Sequence, residues 1–99
     1  MTLTQLEYIV ALDTNRHFAL AAAQCHVTQP TLSMQINKLE QELGVKIFDR
    51  SKQPVLPTLA GVEIIDKARK ILQEKNELLE SLNSKKGTVN GEMKVGIIP

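Results

Sequence analysis

The chain is 99 residues long and carries 12 Lys or Arg against 11 Asp or Glu, a net charge of +1. That balance excludes the broad positive field of a strongly cationic nucleic-acid binder, so any such role has to rest on a few well-placed cations. No apolar run approaches a membrane span, and neither a signal peptide nor a basic targeting leader is visible, so a cytoplasmic protein with no membrane partner is expected.

From the N-terminus, Leu3, Leu6, Ile9, Val10 and Leu12 are spaced for an amphipathic opening helix begun by Thr2 or Thr4. Phe18 is placed to cap a small core with Ala22, Val27, Leu32, Ile36 and Phe48. Ala19, Ala21, Ala22 and Ala23 predict a second helix whose inner side is thin enough for another helix to cross it closely. Cys25-His26-Val27 ends it, with His26 as a left-handed turn residue and Val27 filling the corner. Cys25, the sole cysteine, reads as a small buried hydrophobe rather than a redox sensor.

Thr28 then has the character of an N-cap, and Pro30 sits in the first turn, where no backbone donor is needed. Leu32, Ile36, Leu39 and Leu43 form one apolar stripe facing the preceding helices. The opposite face carries Gln29, Thr31, Ser33, Met34, Asn37, Lys38 and Gln41, mostly uncharged donors and acceptors with a single fixed positive charge. Gly44 is placed as a left-handed C-cap. A hairpin follows: Val45, Ile47 and Phe48 outward, Arg50-Ser51-Lys52-Gln53-Pro54 at the tip, and Val55-Leu56 on the return. Two helices joined by a tight turn and followed by such a hairpin make a winged helix-turn-helix, with Arg50, Ser51 and Lys52 suited to backbone or minor-groove contact.

Beyond Pro57, with Thr58 as N-cap, Ile64, Ile65, Ala68, Ile71, Leu72, Leu78, Leu79 and Leu82 repeat at close to seven residues, interrupted by Lys75. A helix from Thr58 to about Asn83 would be roughly 39 Å long at 1.5 Å per residue, too long for a sixty-residue domain to cover. A domain of that size buries about 60% of its unfolded surface and is marginal alone. These residues are therefore expected to form a dimer seam between two copies, the other reading being a helix packed on its own domain. Ser84-Lys85-Lys86-Gly87-Thr88 reads as a polar hinge, and Met93, Val95 and Ile97 as a strand opening a second domain. The expected organisation is mainly α: residues 1–58 a winged helix-turn-helix of three helices and a small β-hairpin, residues 59–84 a linker and dimerisation helix, residues 85–99 the hinge and first strand of a truncated domain.

Two readings of different class follow. One is a sequence-specific reader of double-stranded DNA; the other is a protein-interaction module in which the polar face is simply solvated. Residues 1–58 hold five Lys or Arg and five acids, so charge does not separate them. His17 and His26 are nine residues apart with no clustered carboxylates or thiols, so no metal ligand set is formed. With no glycine-rich phosphate loop, nucleophile elbow or paired-acid motif, neither an enzyme nor a bound cofactor is expected.

Arg16-His17-Phe18, Ala21-Ala22-Ala23, Val27 through Ser33, Lys38-Leu39-Glu40, Glu42 through Val45, Ile47 through Arg50 and Thr58 through Gly61 together resemble, in order and spacing, the amino-terminal domain of LysR-type transcriptional regulators. The wording of Gln29 through Ser33 and of Asp49-Arg50-Ser51 is closer to the peroxide-responsive branch than to the family average.

The resemblance implies a bacterial regulator whose helix from Thr28 enters the major groove while the wing reaches the neighbouring backbone or minor groove. Gln29, Pro30, Thr31 and Ser33 occupy positions that approach bases or phosphates, and Thr28, Asn37 and Lys38 match positions near the backbone. Met34 stands where an arginine is commonest, which removes a bidentate reader of guanine. Pro57 departs from the usual strand residue, so the return strand is expected to stop early. The resemblance further implies a homodimer through the linker helix, with a tetramer open for a longer protein, and an inverted-repeat operator. Any effector ligand or redox signal would act through a further domain with a periplasmic-binding-protein shape.

Overall fold

The computed structural model describes residues 1–89 and contains four helices and one two-stranded hairpin. Helix α1, Leu3–Asn15, starts with a capping box: Thr2 Oγ1 accepts from Gln5 N–H at 3.0 Å, and Gln5 Oε1 accepts from Thr2 N–H at 3.0 Å. Arg16 ends it in the left-handed region at φ 57°. Helix α2, Phe18–Gln24, is short and buries Ala21 and Ala22. His26 makes the turn to α3 at φ 60°, as its position in the sequence predicts.

Helix α3, Gln29–Leu43, opens on Thr28, whose Oγ1 accepts from Thr31 N–H at 3.3 Å, and closes on Gly44 at φ 76°. Leu32, Ile36 and Leu39 are fully buried, joined by Ile9 and Leu12 of α1 and by Ile47 and Val55 beside the hairpin. The stripe departs from the expected pattern at its end. Leu43, on the last turn, is 38% exposed, and Glu40 is buried in its place because its carboxylate faces the root of the hairpin.

Strand β1, Phe48–Asp49, pairs antiparallel with β2, Leu56–Pro57, with Phe48 opposite Pro57 and Asp49 opposite Leu56. Val45 lies outside the ladder and is exposed. The return strand ends at Pro57, and Thr58 after it serves as the cap of α4. Two backbone bonds fasten the hairpin to the helices: Val55 N–H donates to Arg16 O at 3.0 Å and Thr58 N–H to Ile47 O at 2.9 Å.

Helix α4, Leu59–Val89, has 31 residues and is about 46 Å long at 1.5 Å per residue. Its first half lies along α1, where Ile65 and Ala68 are buried and Ile64 and Leu72 pack partly into the core. Arg69 Nη2 meets Asp13 Oδ2 at 2.7 Å and Lys75 Nζ meets Glu7 Oε2 at 2.8 Å, so two ion pairs hold α4 to α1. The helix continues through the 84–88 segment expected as a hinge, since Ser and Lys are acceptable helix residues and Gly87 alone costs about 1 kcal/mol there. The strand expected at Met93, Val95 and Ile97 lies outside the described residues.

Candidate nucleic-acid interface

The first turns of α3 are largely exposed. Thr28, Gln29, Pro30, Met34, Asn37, Lys38 and Gln41 are exposed, and Thr31 and Ser33 half-buried, so the predicted polar row lies on one outward face. Local chemistry makes that face rigid. The Thr28 cap satisfies a first-turn N–H, its hydroxyl also lies 2.9 Å from Thr31 Oγ1, and the Leu32-Ile36-Leu39 stripe seats the helix on α1 and α2. A row of amide and hydroxyl groups on an anchored helix can offer donors and acceptors to base edges or phosphates.

The wing divides into an outer and an inner part. Ser51, Lys52, Gln53 and Pro54 are exposed at the outer turn. Asp49 Oδ1 accepts from Ser51 Oγ at 2.6 Å and from Ser51 N–H at 3.0 Å, and these bonds, the side-chain one first, hold the Asp49 carboxyl below its ordinary value. The Ser51 hydroxyl is thereby engaged, and Lys52 is left as the outward cation of the turn.

Arg50 lies in the turn between the strands as expected, but its side chain does not join that outer group. Its guanidinium is folded back, with Nη1 donating to Ser33 Oγ at 2.8 Å, Nη2 at 3.6 Å from Glu40 Oε1, and the group 5.0 Å from the centre of the Phe18 ring. A half-buried position between a serine, a carboxylate and an aromatic face favours it over the solvated tip.

Two residues important to this geometry escape sequence reasoning. Glu40, 3% exposed, accepts from the backbone N–H of Ile47 at 2.8 Å and Phe48 at 3.3 Å through Oε2, locking the wing root to α3. Gly61 presses against the wing, where an added Cβ would collide with the Ile47 carbonyl. A charged residue beside an apolar stripe and a glycine in the first turn of a helix both have ordinary surface explanations, so the single signal for either was its place in the blocks of family resemblance.

The stripe predicted for dimerisation divides along its length, its N-terminal part covered by the chain's own domain and its C-terminal part open. Ile65 and Ala68 are buried against the chain's own α1, Ile64 and Leu72 are partly so, and Lys75 reaches Glu7. Ile71, Leu78, Leu79 and Leu82 are exposed. Cys25 is half-buried, and burial, with the Glu7 charge second, pushes its thiol above the ordinary value, which disfavours the reactive thiolate. Among the described residues no helix is long and apolar enough to cross a membrane, and no group of His, Cys, Asp and Glu is arranged to hold a metal ion.

Residues 3–62, from α1 to the first turn of α4, match the family described as bacterial regulatory helix-turn-helix protein, lysR family. The chain belongs to the LysR family. Its relatives in that family include the DNA-binding transcriptional dual regulator OxyR of Escherichia coli K12, 48% identical over 99 residues, covering 100% of this chain and 32% of that protein. The fold is similar to that of full-length OxyR from Pseudomonas aeruginosa, with a TM-score of 0.81 and 49% identity over 85% of this chain and 28% of the other. It is equally similar to the BenM DBD in complex with catB site 1 DNA, with a TM-score of 0.82 and 33% identity over 85% and 94% of the two chains. The chain thus spans about a third of the length of the curated LysR-family relatives it matches.

Proposed function

We propose that the chain is the reading head and linker helix of a LysR-type transcriptional regulator, binding an inverted-repeat operator in double-stranded DNA as a homodimer. The observation that carries this is the outward polar row of α3, held rigidly on its core in a fold shared with a relative solved on DNA. In this reading α3 lies in the major groove, where Gln29, Pro30, Thr31, Ser33 and Met34 approach bases or phosphates while Thr28, Asn37 and Lys38 approach the backbone. Ser51 and Lys52 meet the neighbouring backbone or minor groove. The thioether at Met34 reads by contact with apolar base surface rather than by hydrogen bonding to guanine.

The exposed leucines of α4 seat a second copy, and the paired heads address half-sites separated by whole turns of DNA, in multiples of roughly 34 Å. The protein works in the cytoplasm as a regulator rather than as an enzyme. A control signal, by analogy with relatives named for hydrogen peroxide-inducible genes, would enter through a further domain.

Titration against duplex DNA at several salt concentrations tests this directly. Affinity should fall with salt at a slope near −0.9 per phosphate neutralised, and absence of any saturable complex would defeat the proposal. Gln29→Ala should cost about 1–3 kcal/mol on the preferred site and relax base choice, whereas Lys52→Ala should weaken all sequences alike. Equal loss on random DNA for Gln29→Ala would move that residue to the backbone-contacting class.

A further inference from the structure

Arg50 and Ser33 are joined across the gap between wing and reading helix by the 2.8 Å bond from Nη1 to Oγ. Behind them stands Glu40, with Oε2 taken by two backbone N–H groups, so that Oε1 makes no hydrogen bond and faces Arg50 Nη2, which makes none either. A guanidinium set 3.6 Å from a buried carboxylate has most of its charge cancelled within the fold, leaving little to attract a phosphate.

The same bond fixes the polarity of Ser33. A hydroxyl has one proton and two lone pairs, and Arg50 occupies a lone pair. Helical serines often return their proton to the carbonyl one turn back, yet among the described residues Ser33 makes no such bond, so its proton is free to point outward.

Resting on the DNA-reading function above, we propose that Arg50 is a positioning residue and not a phosphate contact: it holds Ser33 so that the hydroxyl meets the duplex as a donor, selecting a hydrogen-bond acceptor there. That acceptor is a purine N7 or a phosphate oxygen, which share this chemistry. Arg50 thereby couples the placement of the wing to what the reading helix recognises.

The test uses the 99-residue chain and the duplex it selects from a random pool, titrated over a salt series. Lys52→Ala should flatten the salt slope by about 0.9, one phosphate's share, while Arg50→Gln should leave it unchanged. Ser33→Ala and Arg50→Gln should each lose about three- to tenfold in affinity for the selected duplex. Combined, they should lose no more than either alone, because one interaction is removed twice.

Duplexes carrying 7-deaza analogues at each purine in turn, or a methylphosphonate at each phosphate, distinguish the two acceptors. One such replacement should weaken the unmodified chain and leave Ser33→Ala unaffected. A slope that falls with Arg50→Gln, or losses that add, would overturn the positioning role; no replacement coupled to Ser33 would overturn the donor assignment. Failure to bind any duplex would defeat the function itself, a distinct result. Because Arg50→Gln strands a buried carboxylate, Arg50→Gln with Glu40→Gln is run beside it and folding checked by circular dichroism. If neither is folded, the Ser33→Ala comparison decides the donor assignment, and Arg50→Lys, which keeps the charge facing Glu40 but lacks the fork that also reaches Ser33, replaces Arg50→Gln in the slope and additivity tests.

Discussion

Glu40 does more for the shape of this domain than its position on a surface-length helix suggests. One carboxylate oxygen closes the two N–H groups of Ile47 and Phe48, both buried residues, and the other faces Arg50. Glu40→Ala would leave two buried donors unsatisfied and the guanidinium unmatched, and should cost about 3 kcal/mol or more, a large share of what a domain this small possesses. Chemical denaturation checks this; a loss under 1 kcal/mol would mean that water reaches the wing root. Gly61 acts nearby by absence of a side chain. The Ile47 carbonyl that its Cα approaches also accepts from Thr58 N–H, so it cannot easily give way, and Gly61→Ala should destabilise by about 1–3 kcal/mol. An unchanged melting temperature would show that α4 can lift from the wing without penalty.

Helix boundaries follow from chemistry that a sequence displays openly. Thr28 before Pro30, Thr58 after Pro57 and Gly44 after Leu43 are caps recognisable from side-chain type and position, and each forms, while of the two candidates for the start of α1 it is Thr2, boxed with Gln5, that caps. Thr28→Ala removes the acceptor for Thr31 N–H at the start of the reading helix and should cost about 1 kcal/mol of stability. It should also raise hydrogen exchange at Thr31 ahead of the helix centre, and uniform exchange along α3 would argue that the cap is dispensable. The outward polar row was legible for a similar reason, since a period of 3.6 residues separates Leu32, Ile36 and Leu39 from Asn37, Lys38 and Gln41. What stayed hidden depends on contacts between elements distant in the chain. Arg50 reads as a tip cation because hairpin tips carry cations, and its reversal onto Ser33 and Glu40 spans 17 and 10 positions that no local pattern encodes.

At the scale of the molecule, α4 divides its apolar positions between two partners. The N-terminal part of the stripe, bearing Ile64, Ile65, Ala68 and Leu72, closes the small core, and the Asp13–Arg69 and Glu7–Lys75 pairs lie between that part and α1. Its continuation, bearing Ile71, Leu78, Leu79 and Leu82, remains 41–60% exposed on a molecule whose longest dimension is 55 Å. Four large aliphatic residues in water along one helix face are unusual for a monomer and suit a helix-to-helix seam. Leu79→Asp places a charge in that seam without touching the core, whereas Leu72→Asp would disturb the core as well. Light scattering of the Leu79→Asp chain should therefore give half the mass of the unmodified one, with helical content outside the seam retained. The two heads would then bind half-sites independently, and affinity for a full inverted repeat should fall towards that for a single half-site. If mass and full-site affinity both survive, the seam lies elsewhere and the exposed leucines serve some other contact.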